Sequence, residues 1–336
     1  MAKKAQSTSE RLLAAMQAVK ADVHATMMGD EDSLCHVRGW ISTGCPVLDI
    51  IMGGGLPYGR IVEIFGKTSS GKSLVASQII ASIQDDDGVG VYLDSESAGS
   101  LPIMKAVGVD VDNLLYAAPD TVEGVFAIME SVIASVDDET KMVIVWDSVA
   151  ATSSMDEMGK ETGNTGYLTH ARVISQGLRK NARAIAQKQI SLVLINQQKT
   201  KLGVMFGDNV ATFGGDSVGF YSSIRVQLTQ GSKIKEGDRV VGIAARATVK
   251  KNKVATPFRT AKLPIYFGHG IDEVEAAFLA LKDAKIIKYT GGWYRYTDPQ
   301  GVEHKIRKAD FETLYDSLYD VLYDEIEAWY AGTDLI

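Results

Sequence analysis

The segment from Gly66 to Ser73 constrains the fold of this chain more than any other part of the sequence. It fits the phosphate-binding loop pattern G-x-x-x-x-G-K-S/T and reads Gly66-Lys67-Thr68-Ser69-Ser70-Gly71-Lys72-Ser73. An apolar, strand-like run from Ile61 to Phe65 comes directly before it, and a helical pattern begins at Ser73. A chance turn of glycine, lysine and serine would lack these flanks. We therefore predict a strand, a phosphate-binding loop and a helix in that order.

The residue types in this loop specify its chemistry. Glycines let the backbone curl so that successive N–H groups face a β-phosphate, and the helix N-terminus adds positive potential there. Lys72 is expected to reach the β- and γ-phosphates, and the hydroxyl of Ser73 is expected to bind Mg²⁺. The loop as a whole predicts ATP and Mg²⁺ as the bound species.

Two further strand-like runs lead into carboxylates. Met142 to Trp146 is apolar and is followed by Asp147, an arrangement typical of the Mg²⁺-side acid of a P-loop ATPase. Val89 to Leu93 is followed by Asp94-Ser95-Glu96. From the residues alone, Glu96 either holds the attacking water or serves as a helix N-cap or loop acid.

A fourth run, Ser191 to Ile195, leads into Asn196-Gln197 and places an amide near the expected γ-phosphate. The four runs alternate with helical stretches at Ser73–Gln84, Val122–Val136 and Tyr167–Gln187. Such alternation predicts an α/β fold with a mostly parallel twisted sheet and helices on both faces. The four strand ends should then line one crevice at the carboxyl edge of the sheet.

The flanking regions differ in pattern from this core. Residues 7–28 read as a helix that begins with a capping box between Ser7 and Glu10, and it packs either on its own domain or on a neighbouring subunit. Later strand-like runs at Ile224–Leu228, Arg239–Val249 and Lys262–Tyr266 predict additions to the sheet. From residue 271 onward a small α+β region is expected, with helices at Glu273–Leu281 and about Ala309–Tyr330 and a strand-like Lys288–Tyr296.

The net charge of −7 argues mildly against nucleic-acid binding when taken alone. However, no Lys or Arg follows Lys308, and acidic residues crowd the segment after it. This acidic end is either a solvated helix face or a regulatory element. The two cysteines, Cys35 and Cys45, predict neither a disulfide framework nor a zinc site. No apolar run approaches the roughly 20 residues of a membrane helix, so we expect a cytoplasmic protein without a membrane partner.

With these residues in place, the chain resembles the bacterial RecA recombinases over nearly its whole length. The segments that carry the resemblance include Ile41-Ser42-Thr43-Gly44, Gly55 to Ile64, the P-loop, Val145 to Ala151, Ile195-Asn196-Gln197, and Gly203-Val204-Met205-Phe206-Gly207 with Gly214-Gly215. The resemblance implies a RecA-like ATPase core at 37–270, preceded by an N-terminal oligomerisation helix and linker at 1–36 and followed by a small C-terminal α+β domain at 271–336.

The resemblance also implies an activity and several roles. The protein would be a DNA-dependent ATPase and homologous recombinase that forms an ATP-bound helical filament on single-stranded DNA and exchanges strands with homologous double-stranded DNA. Glu96 would activate the hydrolytic water, and Gln197 would sense the γ-phosphate. Lys251 and Lys253 would reach the γ-phosphate of a neighbouring subunit, although the residues alone also fit a solvated basic turn.

Two glycine-rich segments, about 155–168 and 198–217, are the candidate DNA-binding loops. The second contains an apolar cluster, which is not typical of a rigid core element but can order on single-stranded DNA. Tyr167 is a further candidate for insertion at base steps, while the arginines of the helical pattern that starts there also fit a solvated face. The DNA-contact candidates are Arg172, Ser175, Arg179, Lys199, Lys201, Leu202, Gly203, Val204, Met205, Phe206, Gly207, Gly214, Gly215 and Arg225.

The sequence departs from the family pattern at two places near the nucleotide. Lys67-Thr68 replaces the usual Pro-Glu, and Ser97 to Ile103 lacks the Asp and Tyr that usually hold adenine. These departures suggest a divergent member, for which a phage origin is one hypothesis and a bacterial host the other. Two other classes share the P-loop: a RecA-fold hexameric DNA helicase, and a filament ATPase that has lost DNA pairing. The segment Gly203–Gly207 and the Lys251/Lys253 pair favour the recombinase over the helicase.

Overall fold

The computed structural model describes residues 7–18, 25–30, 33–159, 167–200 and 210–333, with backbone alone for residues 167, 168, 200 and 333. The chain divides into two compact units, residues 1–38 and 39–336. The functional domain boundaries expected at residues 36 and 270 stay predictions.

The first unit contains the helix α1 (Thr8–Gln17). The predicted capping box is confirmed, since the Ser7 hydroxyl accepts the Glu10 N–H at 3.2 Å and the Glu10 carboxylate accepts the Ser7 N–H at 2.6 Å. The predicted extension to residue 28 is wrong, because residues 25–30 are not helical. The Gln17 amide donates to the carbonyl of Ala25 at 2.9 Å, which places residue 25 beside the end of the helix.

The second unit contains the sheets. Its strands within the described residues are β1 (Trp40–Ile41), β2 (Leu56–Pro57), β3 (Ile61–Gly66), β4 (Val89–Asp94), β5 (Leu115–Ala117), β6 (Met142–Asp147), β7 (Ile190–Thr200), β8 (Val210–Thr212), β9 (Ile224–Glu236), β10 (Arg239–Asn252), β11 (Thr260–Tyr266), β12 (Gly270–Ile271), β13 (Lys288–Thr290), β14 (Trp293–Thr297) and β15 (Glu303–Ile306).

The helices of this unit lie mostly between the strands of the large sheet. They are α2 (Pro46–Met52), α3 (Lys72–Asp85), α4 (Leu101–Ala106), α5 (Val122–Ser135), α6 (Met155–Met158), α7 (Tyr167–Gln187), α8 (Asp216–Tyr221), α9 (Glu273–Asp283), α10 (Phe311–Ser317) and α11 (Tyr319–Thr333), with a 3-10 turn at Lys308–Asp310. In the described part of the chain, no helix is both long and apolar enough to cross a membrane.

The large sheet has the strand order β5-β4-β6-β7-β3-β9-β10-β11-β12, and β8 pairs with β7. The strands from β5 to β9 in this order are parallel to one another, whereas β10, β11 and β12 add an antiparallel meander. Parallel neighbours need crossover connections, and the helices between the strands supply them. The predicted α/β fold is confirmed.

Successive residues of the central strands enter two separate apolar cores. On β3, Val62 and Ile64 pack into the core that includes α2 and α3, while Ile61 packs into the core that includes α5 and α7. Side chains alternate across a strand, so a strand with both faces buried reads as a continuous apolar run. This explains why the central strands were predictable, and it confirms helices on both faces of the sheet.

The C-terminal segment packs on the core of the second unit. Leu322 and Ile326 of α11 lie in the same apolar cluster as α2 and α9, and the Tyr330 hydroxyl donates to the Thr260 carbonyl of β11 at 2.6 Å. The predicted single final helix is instead two helices interrupted at Leu318. The structure also has a three-stranded sheet, of which the sequence analysis missed β15.

We predict that Leu322→Ala lowers the free energy of unfolding by about 2–5 kcal/mol, because it leaves a cavity in a shared core. Val302→Ala is the control, because Val302 is 54% exposed. Surface substitutions usually change the free energy of unfolding by no more than about 0.5 kcal/mol. Urea denaturation of the two variants measures both values. Equal midpoints for Leu322→Ala and the wild type would show that α11 does not contribute to the core.

Candidate nucleotide site and adjoining basic residues

The strand register brings the predicted polar residues to one edge of the sheet. Gly66 at the end of β3 lies opposite Gln197 of β7, and Asp94 at the end of β4 lies opposite Asp147 of β6. β6 and β7 are themselves neighbours. The carboxyl ends of the four strands therefore form one crevice, as the sequence predicts.

The phosphate-loop backbone follows the predicted strand–loop–helix course. A side chain at Gly66 would place its Cβ 2.2 Å from the carbonyl oxygen of Leu228, so β9 leaves room only for glycine. Gly71 has φ +92° and directly precedes α3, in a left-handed conformation that glycine adopts readily. A cavity of about 270 Å³ opens beside the loop and is lined by Ser69 to Ser73 together with Tyr92, Asp94, Glu96 and Asp147.

Lys72 lies mostly buried at the floor of this cavity. Its ammonium donates to the Lys67 carbonyl at 2.9 Å. Burial lowers the pKa of Lys72, and the carboxylates of Asp147 and Glu96 oppose that shift. The Ser70 hydroxyl is fully buried and has no hydrogen-bond partner among the residues described. A cation and an uncommitted hydroxyl at this loop suit the oxygens of a phosphate.

Asp147 is buried next to the first turn of α3. Two hydroxyls donate to its carboxylate: that of Ser73, and that of Tyr92 at 2.6 Å. Burial raises the pKa of Asp147, and these two hydrogen bonds oppose the shift. A carboxylate and a hydroxyl in contact form the kind of oxygen ligand set that Mg²⁺ takes in phosphate sites. The predicted metal residues Ser73 and Asp147 thus fit such an ion.

The two carboxylates after β4 have different surroundings. Asp94 is buried and accepts the N–H groups of Glu96, Ala98 and Gly99 at 3.2, 3.3 and 2.8 Å. Glu96 is exposed, lines the cavity and accepts the Ser148 hydroxyl at 2.6 Å. The loop-acid role, left open for Glu96 by the sequence, is therefore filled by Asp94. The role of Glu96 toward water stays a prediction.

Two tyrosines of this site were not found by sequence reasoning. Tyr92 and Tyr116 lie opposite each other on β4 and β5 with their rings stacked, and the centroids are 6.5 Å apart. The Tyr92 hydroxyl binds Asp147, and the Tyr116 hydroxyl donates to Asp94 at 3.0 Å. The alternation of side chains along β4 places Tyr92 on the same face as Asp94, which is the signal that could have indicated it.

Beyond the phosphate loop, the cavity continues to the start of α4. Its wall there is formed by Ser100, Ile103 and Met104. Ser97 to Ile103 was the segment in which the sequence offered no adenine contacts. The structure places an apolar wall at that position.

Lys251 and Lys253 lie together at the end of α8. Lys251 donates to the carbonyls of Gly219 and Phe220 at 2.6 and 3.2 Å, and Lys253 donates to the carbonyl of Phe220 at 3.2 Å. Burial, Lys253 and Arg225 lower the pKa of Lys251 to about 8. The two ammonium groups therefore form one basic feature, and their role toward a neighbouring subunit stays a prediction.

Several predicted DNA-contact residues lie near one another on α7. Arg172, Ser175 and Arg179 line one cavity with Gln176, and Arg179 donates to the Tyr221 hydroxyl at 3.3 Å. The Lys199 ammonium of β7 lies 3.2 Å from the centre of the Phe213 ring. These contacts are compatible with a basic surface, and the contacts with DNA stay predictions.

The other DNA-contact candidates have mixed outcomes. The Arg225 guanidinium forms an ion pair with the carboxylate of the buried Glu63 at 2.5 Å, and it also donates to the Thr212 hydroxyl at 3.3 Å. Gly214 and Gly215 have φ +86° and +70° and precede α8. The side chain of Tyr167 is not described. Seven candidates lie outside the described residues: Lys201, Leu202, Gly203, Val204, Met205, Phe206 and Gly207.

Known proteins similar to this chain match most of its length. The family model of the RecA N-terminal domain matches residues 13–272. Protein RecA of Clostridioides difficile (strain 630) is 42% identical over 259 residues, which cover 77% of this chain and 74% of the relative. Protein RecA of Clostridium tetani (strain Massachusetts / E88) is 40% identical over 283 residues, covering 82% and 80%. Protein RecA of Arthrospira platensis is 37% identical over 258 residues, covering 77% and 70%.

We predict that Tyr92→Phe raises the Mg²⁺ concentration needed for half-maximal binding of a fluorescent ATP analogue by about tenfold. The variant removes a hydrogen bond to the charged Asp147, and such bonds contribute about 1.5–3 kcal/mol. Tyr116→Phe is the matched control, because its hydroxyl binds Asp94 instead, and it should leave the Mg²⁺ midpoint unchanged. Identical midpoints for Tyr92→Phe and the wild type would show that Tyr92 does not position Asp147.

Proposed function

The chain belongs to the RecA family, and from this premise we propose that it forms an ATP-bound filament on single-stranded DNA and exchanges strands with a homologous duplex. It is a DNA-dependent ATPase and a homologous recombinase, as its relatives support. The observation that carries the ATPase part of the proposal is the cavity beside the phosphate loop, which Lys72, Glu96 and Asp147 all line. The similarity to the RecA relatives supports the recombinase part.

The loop from Gly66 to Ser73 would hold the phosphates of ATP, with Lys72 at the β- and γ-phosphates. Ser73 and Asp147 would hold Mg²⁺, which when bound neutralises negative charge on the phosphates. Glu96 would accept a proton from the attacking water, because its carboxylate lies at the cavity and is fixed by Ser148 at 2.6 Å. Gln197 would contact the γ-phosphate, since it lies opposite Gly66 of the phosphate loop in the sheet register.

Two basic residues extend the site to a neighbouring subunit. Lys251 and Lys253 would deliver positive charge to the γ-phosphate held by the next protomer of the filament. Their common position at the end of α8 supports joint action. With a pKa of about 8, Lys251 remains largely protonated at neutral pH. Hydrolysis would therefore depend on filament assembly.

The DNA contacts would come from α7 and from β7 with the segment after it. The backbone of single-stranded DNA would be bound by Arg172, Ser175 and Arg179, which line one surface cavity. It would also be bound by Lys199, whose ammonium lies over the partly exposed ring of Phe213. The segment Lys201–Gly207 would supply apolar contacts to bases. The homologous duplex would bind within the same filament. The protein would act in the cytoplasm.

The N-terminal helix α1 would dock on a neighbouring subunit. Leu12 and Met16 are 61% and 54% exposed, so the apolar side of the helix is available for such a contact. Exposed apolar side chains on a short helix favour burial against another surface. Filament assembly would supply that surface.

A hexameric DNA helicase is the alternative that shares Lys72, Glu96 and Asp147. The similarity to the RecA relatives over most of the chain does not favour it. The two activities differ in their need for homology, because a motor separates strands whatever their sequence. A filament ATPase without DNA pairing would respond to neither kind of duplex.

The proposed function is tested by strand exchange between a labelled single strand and a homologous or heterologous duplex. We expect exchange only with the homologous duplex and only with ATP and Mg²⁺. Lys72→Ala is the control and should abolish exchange, because the lysine contacts the phosphates that the reaction uses. Strand separation independent of homology would indicate the helicase, and the absence of any DNA response would contradict both activities.

A further inference from the structure

A buried polar network lies on the face of the sheet that packs against α5 and α7. Glu63 of β3 is fully buried, lies opposite Arg225 of β9 in the register of the sheet and pairs with its guanidinium at 2.5 Å. Asn196 of β7 is also fully buried and donates to the other Glu63 oxygen at 3.0 Å. The three side chains thus join three adjacent strands. Neither Glu63 nor Asn196 belongs to the predicted nucleotide or DNA contacts, for which Gln197 is the amide expected at the γ-phosphate.

The amide of Asn196 uses its full hydrogen-bonding capacity. Its Nδ2 group donates to Glu63 and to the Phe213 carbonyl at 3.0 and 2.9 Å. Its Oδ1 atom accepts the N–H groups of Gln197 and Phe213 at 2.9 and 3.3 Å. Only an amide offers two donors and an acceptor oxygen in this geometry. An aspartate would lose both donors and would place a second carboxylate against Glu63.

These contacts connect the nucleotide crevice to a predicted DNA contact. On one side, Asn196 precedes Gln197, which lies opposite Gly66 of the phosphate loop. On the other side, Asn196 holds both backbone groups of Phe213, and the ring of Phe213 lies 3.2 Å from the Lys199 ammonium. A shift of the Gln197 N–H would therefore be passed to the Asn196 oxygen, and from it to Phe213 and the ring that contacts the Lys199 ammonium.

We propose that Asn196, anchored by Glu63, is a positioning residue that couples nucleotide binding to the affinity of this protein for single-stranded DNA through its clamp on Phe213. The proposal rests on the proposed function, because it requires both ligands. Its physical basis is that a fully bonded buried amide has few alternative arrangements, so displacement at one partner is passed to the others.

The coupling is measured as the ratio of two dissociation constants for a labelled single strand, without and with a non-hydrolysable ATP analogue. Allosteric coupling factors typically lie between about 5 and 150, and we expect the wild type to fall in that range. Asn196→Asp should lower the ratio to about 1–2, while the affinity for a fluorescent ATP analogue without DNA stays within about threefold, as expected when only the coupling is lost.

A double variant separates coupling from stability. In Glu63→Gln with Asn196→Asp the donor and acceptor exchange places, so the side chains at positions 63 and 196 can bond again. The amide oxygen introduced at position 63 can still accept from Arg225, and the carboxylate introduced at position 196 restores the net charge of the network. The carboxylate introduced at position 196 would still be unable to donate to the Phe213 carbonyl. We therefore expect the double variant to regain thermal stability over Asn196→Asp and to remain uncoupled. Phe213→Leu removes only the half-buried ring beneath Lys199 and should also lower the ratio.

Asn181→Asp is the matched control. Asn181 is a buried amide on α7 that donates to the Gly177 carbonyl at 3.0 Å and to the Glu130 carboxylate at 3.5 Å, away from the crevice. The same substitution there should preserve the coupling ratio.

The outcomes separate the coupling role from the proposed function. A wild-type ratio in the double variant and in Phe213→Leu would overturn the coupling role alone. Equal loss of DNA affinity with and without nucleotide would also overturn it, since that result indicates a purely structural contact. A wild type without nucleotide-dependent DNA affinity would overturn the proposed function together with this inference.

Discussion

The parallel register between β3 and its neighbours is the constraint on which the rest of the structure depends. A slip of one residue on β3 would send Glu63 to the opposite face and remove Gly66 from its place opposite Gln197. The register is held by close backbone contact at Gly66, where the Leu228 carbonyl excludes any side chain. It is also held by the Glu63–Arg225 pair, since a buried carboxylate left without its cation is strongly unfavourable. The proposed phosphate and metal positions both depend on this alignment.

The same alignment gives each polar residue of the crevice a separate task. All three carboxylates line the cavity. Asp94 binds the backbone of its own loop, Asp147 is held by Ser73 and Tyr92, and the exposed Glu96 accepts the Ser148 hydroxyl. Hydrolysis needs one carboxylate that is free to take a proton and another that stays charged beside a cation. The division of hydrogen bonds among the three carboxylates would provide that difference.

The sequence was sufficient for features that are encoded locally. The phosphate loop, the apolar strands and α7 follow from short patterns, because two-sided burial leaves a continuous apolar run and a helical face leaves a 3.6-residue period. Features that depend on distant residues were not predictable. The hydroxyl of Tyr92 on β4 binds Asp147 on β6, and Arg225, whose contact with DNA stays a prediction, pairs with the buried Glu63. The C-terminal end of α1 was predicted too late in the sequence, because the spacing of apolar residues alone does not indicate where a helix ends.

The most direct test of the account is ATP turnover by Glu96→Gln in the presence of single-stranded DNA, with ATP-analogue binding measured on the same preparation. The variant keeps the size and the hydrogen bond acceptor of the side chain but cannot accept a proton. We expect turnover to fall by about 10²–10⁴-fold, the usual contribution of a general base, while analogue binding changes by less than about threefold. Turnover at the wild-type rate would contradict the assignment of Glu96 and, with it, the catalytic interpretation of the crevice.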